Sequence, residues 1–450
     1  MKEVNSVAIV GASPIEGKIG NVVLKNVIRS GFKGGIYPVN PKYSEVMGLK
    51  SWPRVGDLPK APDVVVIAVP PKAVHGVLAE SISVGAKLAV IITSGFREVG
   101  NVGLEEGLKR LVMGGGIRVI GPNSAGITLM GLGLHASIEV LPKRGPIGLI
   151  MQSGALGGVV IDRLRKLSSG ISFFLSLGNM LDVDVNDAME YALHDGETRA
   201  VIAYIEWLRD GRGFIRSALN LNAKKPLCIL KGGWGLRSSE AVRSHTGGLA
   251  TSYEVFKAAI RKVGAYLAEG IDDLVEVCEG LRRIKPIKGR RVLIVTNSGG
   301  LGVITASHLE SMDLDLPRPS TALQQELRES AGKAFTGSNP VDFGGDASID
   351  QVVEALKSRR IASEYNLAIL AYVPTAAEPP EKLCEAMKLL EGCGVPLIAY
   401  FDGEGREEVV QHVSRYVVTV TSSITAGRLI KALYSRARLL SLEGGARALH

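Results

Sequence analysis

Short, uninterrupted runs of Val, Ile, Leu and Ala recur along the chain, and most of them end in Gly, Ser or Pro. In segment 1–140 they are SVAIVGAS, GGIYPVNPK, DVVVIAVPP, LAVIITSGF and RVIGPNS. Apolar runs of about four to seven residues are typical of strands buried on both faces, as in a parallel sheet, and amphipathic stretches such as GNVVLKNVIRSG predict helices between them. The segment is therefore expected to be a doubly wound α/β domain.

The same pattern returns twice. Segment 141–285 contains GPIGLIMQSGA, ISFFLSLGN, AVIAYIEWL and PLCILKGGW. Segment 286–450 contains RRVLIVTNSGGLG, NPVDFGGDA, NLAILAYVP and VPLIAYF, and it ends in the helix-like TAGRLIKALYSRARLL. A chain of 450 residues is long enough for two to four domains. We predict three, with boundaries at 1–140, 141–285 and 286–450.

Composition excludes several classes of protein. The hydrophobic content of 46% is too high for a disordered chain, and no apolar stretch approaches the ~18 residues of a membrane span. Four cysteines lie scattered without a CxxC pair, which argues against a zinc site or a disulfide framework. The net charge of +8 is modest, and the basic residues do not form a run interleaved with aromatic residues. Binding to nucleic acid is therefore disfavoured. We expect a cytoplasmic protein that binds small anions.

Three strand-to-helix junctions contain small residues: VGAS, MQSGALGG at 151–158 and TNSGGLGV at 296–303. The first turn of a helix leaves backbone N–H groups unpaired at the positive end of the helix dipole. Such junctions bind phosphate in many α/β proteins, although glycine turns are also common without that function. Ser153, Gly154 and Ala155 are the strongest phosphate candidates.

The first junction, GASPIEGKIG, lacks the GxGxxG spacing of dinucleotide sites. The next strand ends in Asn40-Pro-Lys42 where a nicotinamide site usually has an acid, and a lysine suits a phosphorylated ribose better than a free hydroxyl. An exposed loop lysine is the simpler alternative. Later strands end in small residues that let a long ligand lie against the backbone, or that serve only as turns: Val69, Pro70, Ser94, Gly95, Asn123 and Ser124.

His245 stands out among seven histidines. It lies in the small-residue stretch SHTGGLA, where an imidazole is free to act as a nucleophile or phosphoryl carrier. Glu206 interrupts an apolar strand and could orient that imidazole, although a solvent-facing glutamate is the alternative. His135 remains ambiguous, and we expect structural roles for His75, His194, His308, His412 and His450.

The order GASP, GKIG, VNPK, AVPP, TSGF-x-E, GPNS, QSGA, YIE and SHTGGLA resembles the α subunits of NDP-forming acyl-CoA synthetases, the ADP-forming acetyl-CoA synthetase group related to succinyl-CoA synthetase. The resemblance extends over essentially the whole chain. It implies a Rossmann-like CoA-binding domain followed by two flavodoxin-like domains.

The resemblance also implies residue roles. His245 would carry the phosphoryl group, with Glu206 as its partner and Ser153, Gly154, Ala155, Thr246 and Gly247 around the phosphate. Relatives often have cysteine at position 124, so any role of a thiol there is in doubt. The implied contacts with CoA are Gly11, Ser13, Pro14, Lys18, Gly20, Asn40, Lys42, Val69, Pro70, Ser94, Gly95, Asn123 and Ser124.

The implied reaction converts acyl-CoA, ADP and phosphate into acid, CoA and ATP through an acyl phosphate and a phosphohistidine. The chain shows no second glycine-rich lid followed by closely set acidic metal ligands. We therefore expect a separate ATP-grasp β subunit to bind ADP or ATP with Mg²⁺, in an assembly of two α and two β chains. A non-catalytic CoA- or nucleotide-binding regulator is the main alternative. A nicotinamide oxidoreductase is disfavoured by Lys42 and by the first loop.

Overall fold

The computed structural model describes residues 4–235, 237, 238, 252–331, 335–374 and 378–447. The chain divides into two compact units: Met1–Asp162 with Gly170–Ala268, and Arg163–Ser169 with Glu269–His450. None of the helices in the described parts of the chain is both long enough and apolar enough to cross a membrane.

The first unit begins with a parallel five-stranded sheet of order β2-β1-β5-β6-β7, beside a small β3-β4 hairpin. The strands are β1 (Ser6–Val10), β2 (Gly35–Val39), β3 (Glu45–Val46), β4 (Leu49–Lys50), β5 (Val64–Ile67), β6 (Leu88–Ile91) and β7 (Arg118–Ile120). The helices are α1 (Ile19–Arg29), α2 (Pro71–Ser83) and α3 (Val102–Gly114). The chain order reverses between β1 and β5, and the carboxyl ends of strands at such a reversal form a crevice where ligands bind.

A second sheet in the same unit has the order β14-β13-β12-β10-β11-β8-β9. Its strands are β8 (Gly126–Leu129), β9 (Leu134–Ser137), β10 (Arg144–Met151), β11 (Ile171–Ser176), β12 (Ala200–Ile205), β13 (Leu227–Lys231) and β14 (Tyr266–Ala268). The described helices are α4 (Gly154–Lys166), α5 (Val185–His194), α6 (Gly211–Lys224) and α7 (Tyr253–Val263). Strands β10 to β14 are mutually parallel, whereas β8 and β9 are antiparallel additions at one edge.

The second unit contains a parallel sheet of order β16-β15-β17-β18-β19. Its strands are β15 (Val292–Thr296), β16 (Val341–Asp342), β17 (Leu367–Tyr372), β18 (Leu397–Phe401) and β19 (Val418–Val420). The described helices are α8 (Ile271–Arg283), α9 (Gly299–Glu310), α10 (Thr321–Ala331), α11 (Ile349–Leu356), α12 (Arg359–Glu364), α13 (Pro380–Leu389), α14 (Arg406–Val413) and α15 (Ser423–Arg447). Helix α8 packs against α15 so closely that a Cβ on Gly280 would lie 2.3 Å from Leu429 Cδ2.

Every apolar run quoted above forms a strand, and the prediction of parallel α/β sheets is confirmed. The β8-β9 hairpin was not predicted, because its glycine-rich sequence has no continuous apolar run. The hairpin precedes residue 140 but belongs to the second sheet. The three domain boundaries themselves stay a prediction.

Candidate functional site

Two glycines shape the crevice at the end of β1. Gly11 has φ +93°, and a Cβ there would lie 2.2 Å from the carbonyl oxygen of Ala68. A Cβ on Gly20 would lie 2.0 Å from the carbonyl oxygen of Gly11. The loop after β1, the start of α1 and the end of β5 therefore touch through bare backbone. Because the N-cap residue Lys18 makes no capping bond with its side chain, the first N–H groups of α1 suit an anion.

The polar residues around this crevice fall into two groups. Asn40 Nδ2 donates to the carbonyl of Ala12 at 2.7 Å, and the buried Ser13 Oγ accepts from the N–H of Ile15 at 3.1 Å. These two side chains hold the loops in place. The side chains of Pro14, Lys18 and Lys42 are instead exposed. Lys18 and Lys42 thus present exposed positive charge on two loops beside the crevice.

The ends of β5 and β6 continue the crevice. Val69 is half-buried and Pro70 exposed, and the carbonyl of Val69 accepts a hydrogen bond from Thr93 Oγ1 at 2.7 Å. Ser94 is exposed, and Gly95 has φ +106°. The N–H of Gly95 donates to Glu98 Oε1 at 2.5 Å.

A partly buried hydrogen-bond network beside Ser94 and Gly95 was not predicted. Asn179 Nδ2 donates to Glu98 Oε2 at 2.7 Å and to Glu105 Oε2 at 2.8 Å. Burial raises the pKa of Glu98, but the bonds from Asn179 and from backbone N–H groups outweigh it and leave that pKa below its ordinary value. The glutamate of TSGF-x-E and the asparagine of SLGN were the available sequence signals.

The loop after β7 lies beside this network. Asn123 has φ +59°, and its Nδ2 donates to Asn179 Oδ1 at 3.4 Å. Ser124 is buried, and its Oγ donates to the carbonyl of Ser176 at 2.5 Å and accepts from the N–H of Gly126 at 2.9 Å. The Ser124 hydroxyl therefore joins β8 to β11, and its contact with CoA stays a prediction.

The second predicted cluster begins at the end of β10. Helix α4 starts at Gly154, directly after Ser153, and the N–H of Leu156 donates to Ser153 Oγ at 3.5 Å. A Cβ on Gly154 would lie 2.4 Å from the Cβ of Ala125, so the helix start packs against the loop after β7. Ala155 is exposed. The start of a helix is the positive end of its dipole, so the backbone of this turn suits a phosphate.

Glu206 lies directly after β12, the strand next to β10. It is 7% exposed, and its Oε2 has no hydrogen-bond partner among the described residues. Burial, followed by the charge of Glu206 and a hydrogen bond with it, raises the pKa of the Tyr204 hydroxyl. A buried carboxylate oxygen is costly without a partner, so this atom indicates a place for a donor.

Lys231 ends β13 and lies close to Glu206. Its buried Nζ donates to the backbone carbonyl of Glu206 at 2.7 Å and to that of Gly232. Burial lowers the pKa of Lys231, and the negative charge of Glu206 acts in the opposite direction. Sequence reasoning did not identify this lysine, whose side chain fixes the backbone at Glu206.

His245, Thr246 and Gly247 lie outside the described residues. His135 proves to be a core residue: its Nδ1 lies 2.7 Å from Thr128 Oγ1, its Nε2 lies 3.0 Å from the carbonyl of Glu139, and burial lowers its pKa. Within the described parts of the chain, no group of three or more His, Cys, Asp or Glu side chains could hold a metal ion.

Two family models match the chain. A CoA-binding domain model matches residues 5–130, and a model described as the succinyl-CoA ligase like flavodoxin domain matches residues 144–281. The two matches follow each other in the order that the predicted fold class requires.

Similar proteins are known from archaea. The chain is 36% identical over 406 residues to the ADP-forming acetate-CoA ligase II subunit alpha of Pyrococcus furiosus, covering 88% of each chain. It is 38% identical over 344 residues to an ADP-forming acetate-CoA ligase of Methanocaldococcus jannaschii, covering 76% of this chain but only 48% of that protein. The chain thus spans about half the length of the latter relative.

A solved structure covers nearly the whole chain. The dinucleotide forming acetyl-coenzyme A synthetase 1 of Ca. Korarchaeum cryptofilum, in complex with phosphate and ADP, matches with a TM-score of 0.88 and 32% identity. The match covers 97% of this chain and 96% of that one.

Proposed function

Because the chain belongs to the family of α subunits of ADP-forming acetate-CoA ligases, we propose that it catalyses part of the reversible conversion of acyl-CoA, ADP and phosphate into the free acid, CoA and ATP. The resemblance seen in the sequence motifs is confirmed by this membership. Acetyl-CoA is the proposed acyl-CoA because the relatives are named for acetate. The alternative of a non-catalytic CoA- or nucleotide-binding regulator receives no support from these relatives.

CoA is proposed to bind at the crevice of the first sheet. The bare backbone at Gly11 and Gly20 allows a long ligand to lie close, and the open N–H groups of α1 suit one of its phosphates. Lys18 and Lys42 supply exposed positive charge for the others. Val69, Pro70, Ser94, Gly95 and Asn123 line the continuation of the crevice, where the thioester would approach the second sheet.

The chemistry is proposed to take place between the Ser153 turn and Glu206. Inorganic phosphate attacks the thioester carbonyl carbon, the C–S bond breaks, and CoA leaves as a thiol after taking a proton. A nitrogen of His245 then attacks the phosphorus of the acyl phosphate, the bond from phosphorus to the acyl oxygen breaks, and the carboxylate leaves with the electron pair. An oxygen of the ADP β-phosphate finally attacks the phosphohistidine, and the P–N bond breaks.

The observation that carries this proposal is that Oε2 of the buried Glu206 has no hydrogen-bond partner among the residues that the structure describes. An acceptor in that position suits one N–H of an imidazole, and it would leave the other nitrogen free to attack. Ser153 Oγ and the N–H groups of Gly154 and Ala155 would hold the phosphoryl oxygens, together with Thr246 and Gly247.

The nucleotide site is proposed to belong to a separate ATP-grasp β subunit, which would also hold Mg²⁺. An assembly of two α and two β chains in the cytoplasm remains our prediction. The division of this chain into domains at residues 140 and 285 also remains a prediction.

The proposal is tested by phosphorylation from γ-³²P-labelled ATP in the presence of the β subunit. The wild-type chain should gain an acid-labile, base-stable label, and His245→Ala should abolish it. Glu206→Gln should slow labelling by up to about 10⁴-fold, because an amide in place of the carboxylate can favour the wrong imidazole tautomer. His75→Ala is the matched control, because His75 is exposed on α2, and it should be labelled normally. A labelled His245→Ala chain would overturn the phosphohistidine role.

A further inference from the structure

Gln152 connects the two halves of the proposed reaction site. It is 7% exposed and lies between the end of β10 and the first turn of α4. Its Oε1 accepts hydrogen bonds from the N–H of Glu206 at 2.5 Å and from the N–H of Trp207 at 3.1 Å. Its Nε2 donates to the carbonyl of Trp207 at 2.8 Å. One side chain thus binds three backbone groups of the segment that carries Glu206.

The NH₂ group of the Gln152 side chain also contacts the loop that follows β11. Gln152 Nε2 lies 3.3 Å from Met180 Sδ, in the loop that follows β11. Arg209, a few residues beyond Trp207, donates to the carbonyls of Met180 and Asp182. A primary amide accepts and donates at once, which a carboxylate or a thioether of similar size does not. The position therefore requires the chemistry of an amide and not merely its volume.

We propose that Gln152 is the positioning residue that sets the separation between the phosphate-binding turn and the Glu206 carboxylate. Gln152 precedes Ser153 directly, so the amide that holds Glu206 is covalently attached to the turn that would bind phosphate. This inference rests on the proposed function, in which both groups act on one phosphoryl transfer. Gln152 itself touches no reacting atom in this scheme.

Two substitutions at Gln152 test the hydrogen bonds of the amide separately from the volume of the side chain. Gln152→Met fills the same space but leaves two buried N–H groups without an acceptor. Gln152→Glu keeps the acceptor oxygen but loses the donor and places a carboxylate beside the carbonyl of Trp207. Both variants should let the Glu206 segment move relative to Ser153. A displacement near 1 Å reduces catalysis by up to about 10²-fold.

The test uses the complete α and β assembly. We expect both variants to lower kcat for the complete conversion of acyl-CoA, ADP and phosphate by about 10- to 100-fold, with KM for acyl-CoA unchanged because the crevice of the first sheet is untouched. A second readout does not need activity: in a Trp52→Phe, Trp234→Phe background, the emission of the buried Trp207 should shift to longer wavelength when Gln152 is replaced.

Asn222→Leu is the matched control. Asn222 is also a buried amide that joins backbone groups, accepting from the N–H of Leu227 at 3.0 Å and donating to the carbonyl of Val263 at 3.1 Å. It lies in α6 and bonds to the amino end of β13, whereas Glu206 lies at the carboxyl end of the neighbouring strand β12. This variant should lose stability and keep the wild-type kcat.

The kcat values and the Trp207 emission test the positioning role of Gln152 separately from the proposed function. A Gln152→Met chain with wild-type kcat, or an Asn222→Leu chain with an equal loss of kcat, would reduce Gln152 to an ordinary core residue. Unchanged Trp207 emission in both Gln152 variants would overturn the positioning role. If the wild-type chain is never phosphorylated, the proposed function fails, and the emission readout still decides whether Gln152 holds this segment.

Discussion

Replacement of Gly20 by alanine should damage the CoA crevice. Gly20 is the second residue of α1 and is buried. A Cβ there would lie 2.0 Å from the carbonyl oxygen of Gly11, 2.7 Å from its carbonyl carbon and 3.1 Å from the nitrogen of Ala12. All three are backbone atoms, so no side-chain rotation can relieve the clash.

The size of the effect follows from these distances. A carbon atom approaches a carbonyl oxygen to about 3.3 Å, so the two must separate by about 1.3 Å. Gly11 cannot retreat, because it already abuts Ala68 and its N–H donates to the carbonyl of Val39 at 2.9 Å. The start of α1 must move instead. Overpacking of this kind costs about 1–3 kcal/mol, and a displacement near 1 Å should weaken CoA binding by about 10- to 100-fold.

Urea unfolding and titration calorimetry with CoA measure the two effects separately. Gly76→Ala is the control: Gly76 lies within α2, has an ordinary φ, and a Cβ there would meet nothing within 4 Å. That variant should gain about 0.5–1 kcal/mol of stability and bind CoA as the wild type does. Wild-type stability and CoA affinity in Gly20→Ala would refute the packing argument, and equal loss of affinity in both variants would refute the proposed place of CoA.

The strands were predictable because their information is local. A strand buried on both faces, such as β12 with its sequence AVIAYI, is a continuous apolar run whatever its neighbours are. The β8 and β9 strands were missed because they lie in a glycine-rich stretch without a continuous apolar run. Their pairing depends on a distant partner, since β8 is held against β11 by the ladder and by the Ser124 hydroxyl.

Part of the candidate site could be proposed from the sequence for the same kind of reason. Gly11 and Ser153 are small residues at strand ends, and their types alone indicate a close approach of backbone to ligand. Gln152 and Asn179 act through partners 54 and 81 residues away in sequence, Glu206 and Glu98 respectively. No local pattern records such partners. Their positions within QSGA and SLGN became meaningful only when the fold brought the strand ends together.

Three further predictions concern buried polar groups. Lys231→Met should lower the free energy of unfolding by about 1–3 kcal/mol, because two backbone carbonyls lose their donor; a change under about 0.5 kcal/mol in urea unfolding would contradict this. Asn179→Leu removes a hydrogen bond that lowers the pKa of Glu98, so that pKa should rise in an NMR titration, and an unchanged value would show that the backbone bonds suffice. Burial is the main cause that raises the pKa of Glu276, in α8, from 4.5 to about 7. Between those two pH values the native state holds a proton that the unfolded state has lost, so the free energy of unfolding should fall by about 3 kcal/mol as pH rises through this window. Glu276→Gln, which cannot ionise, should remove that decrease between pH 4.5 and about pH 7. A decrease that persists in the variant would assign the pH dependence to another group.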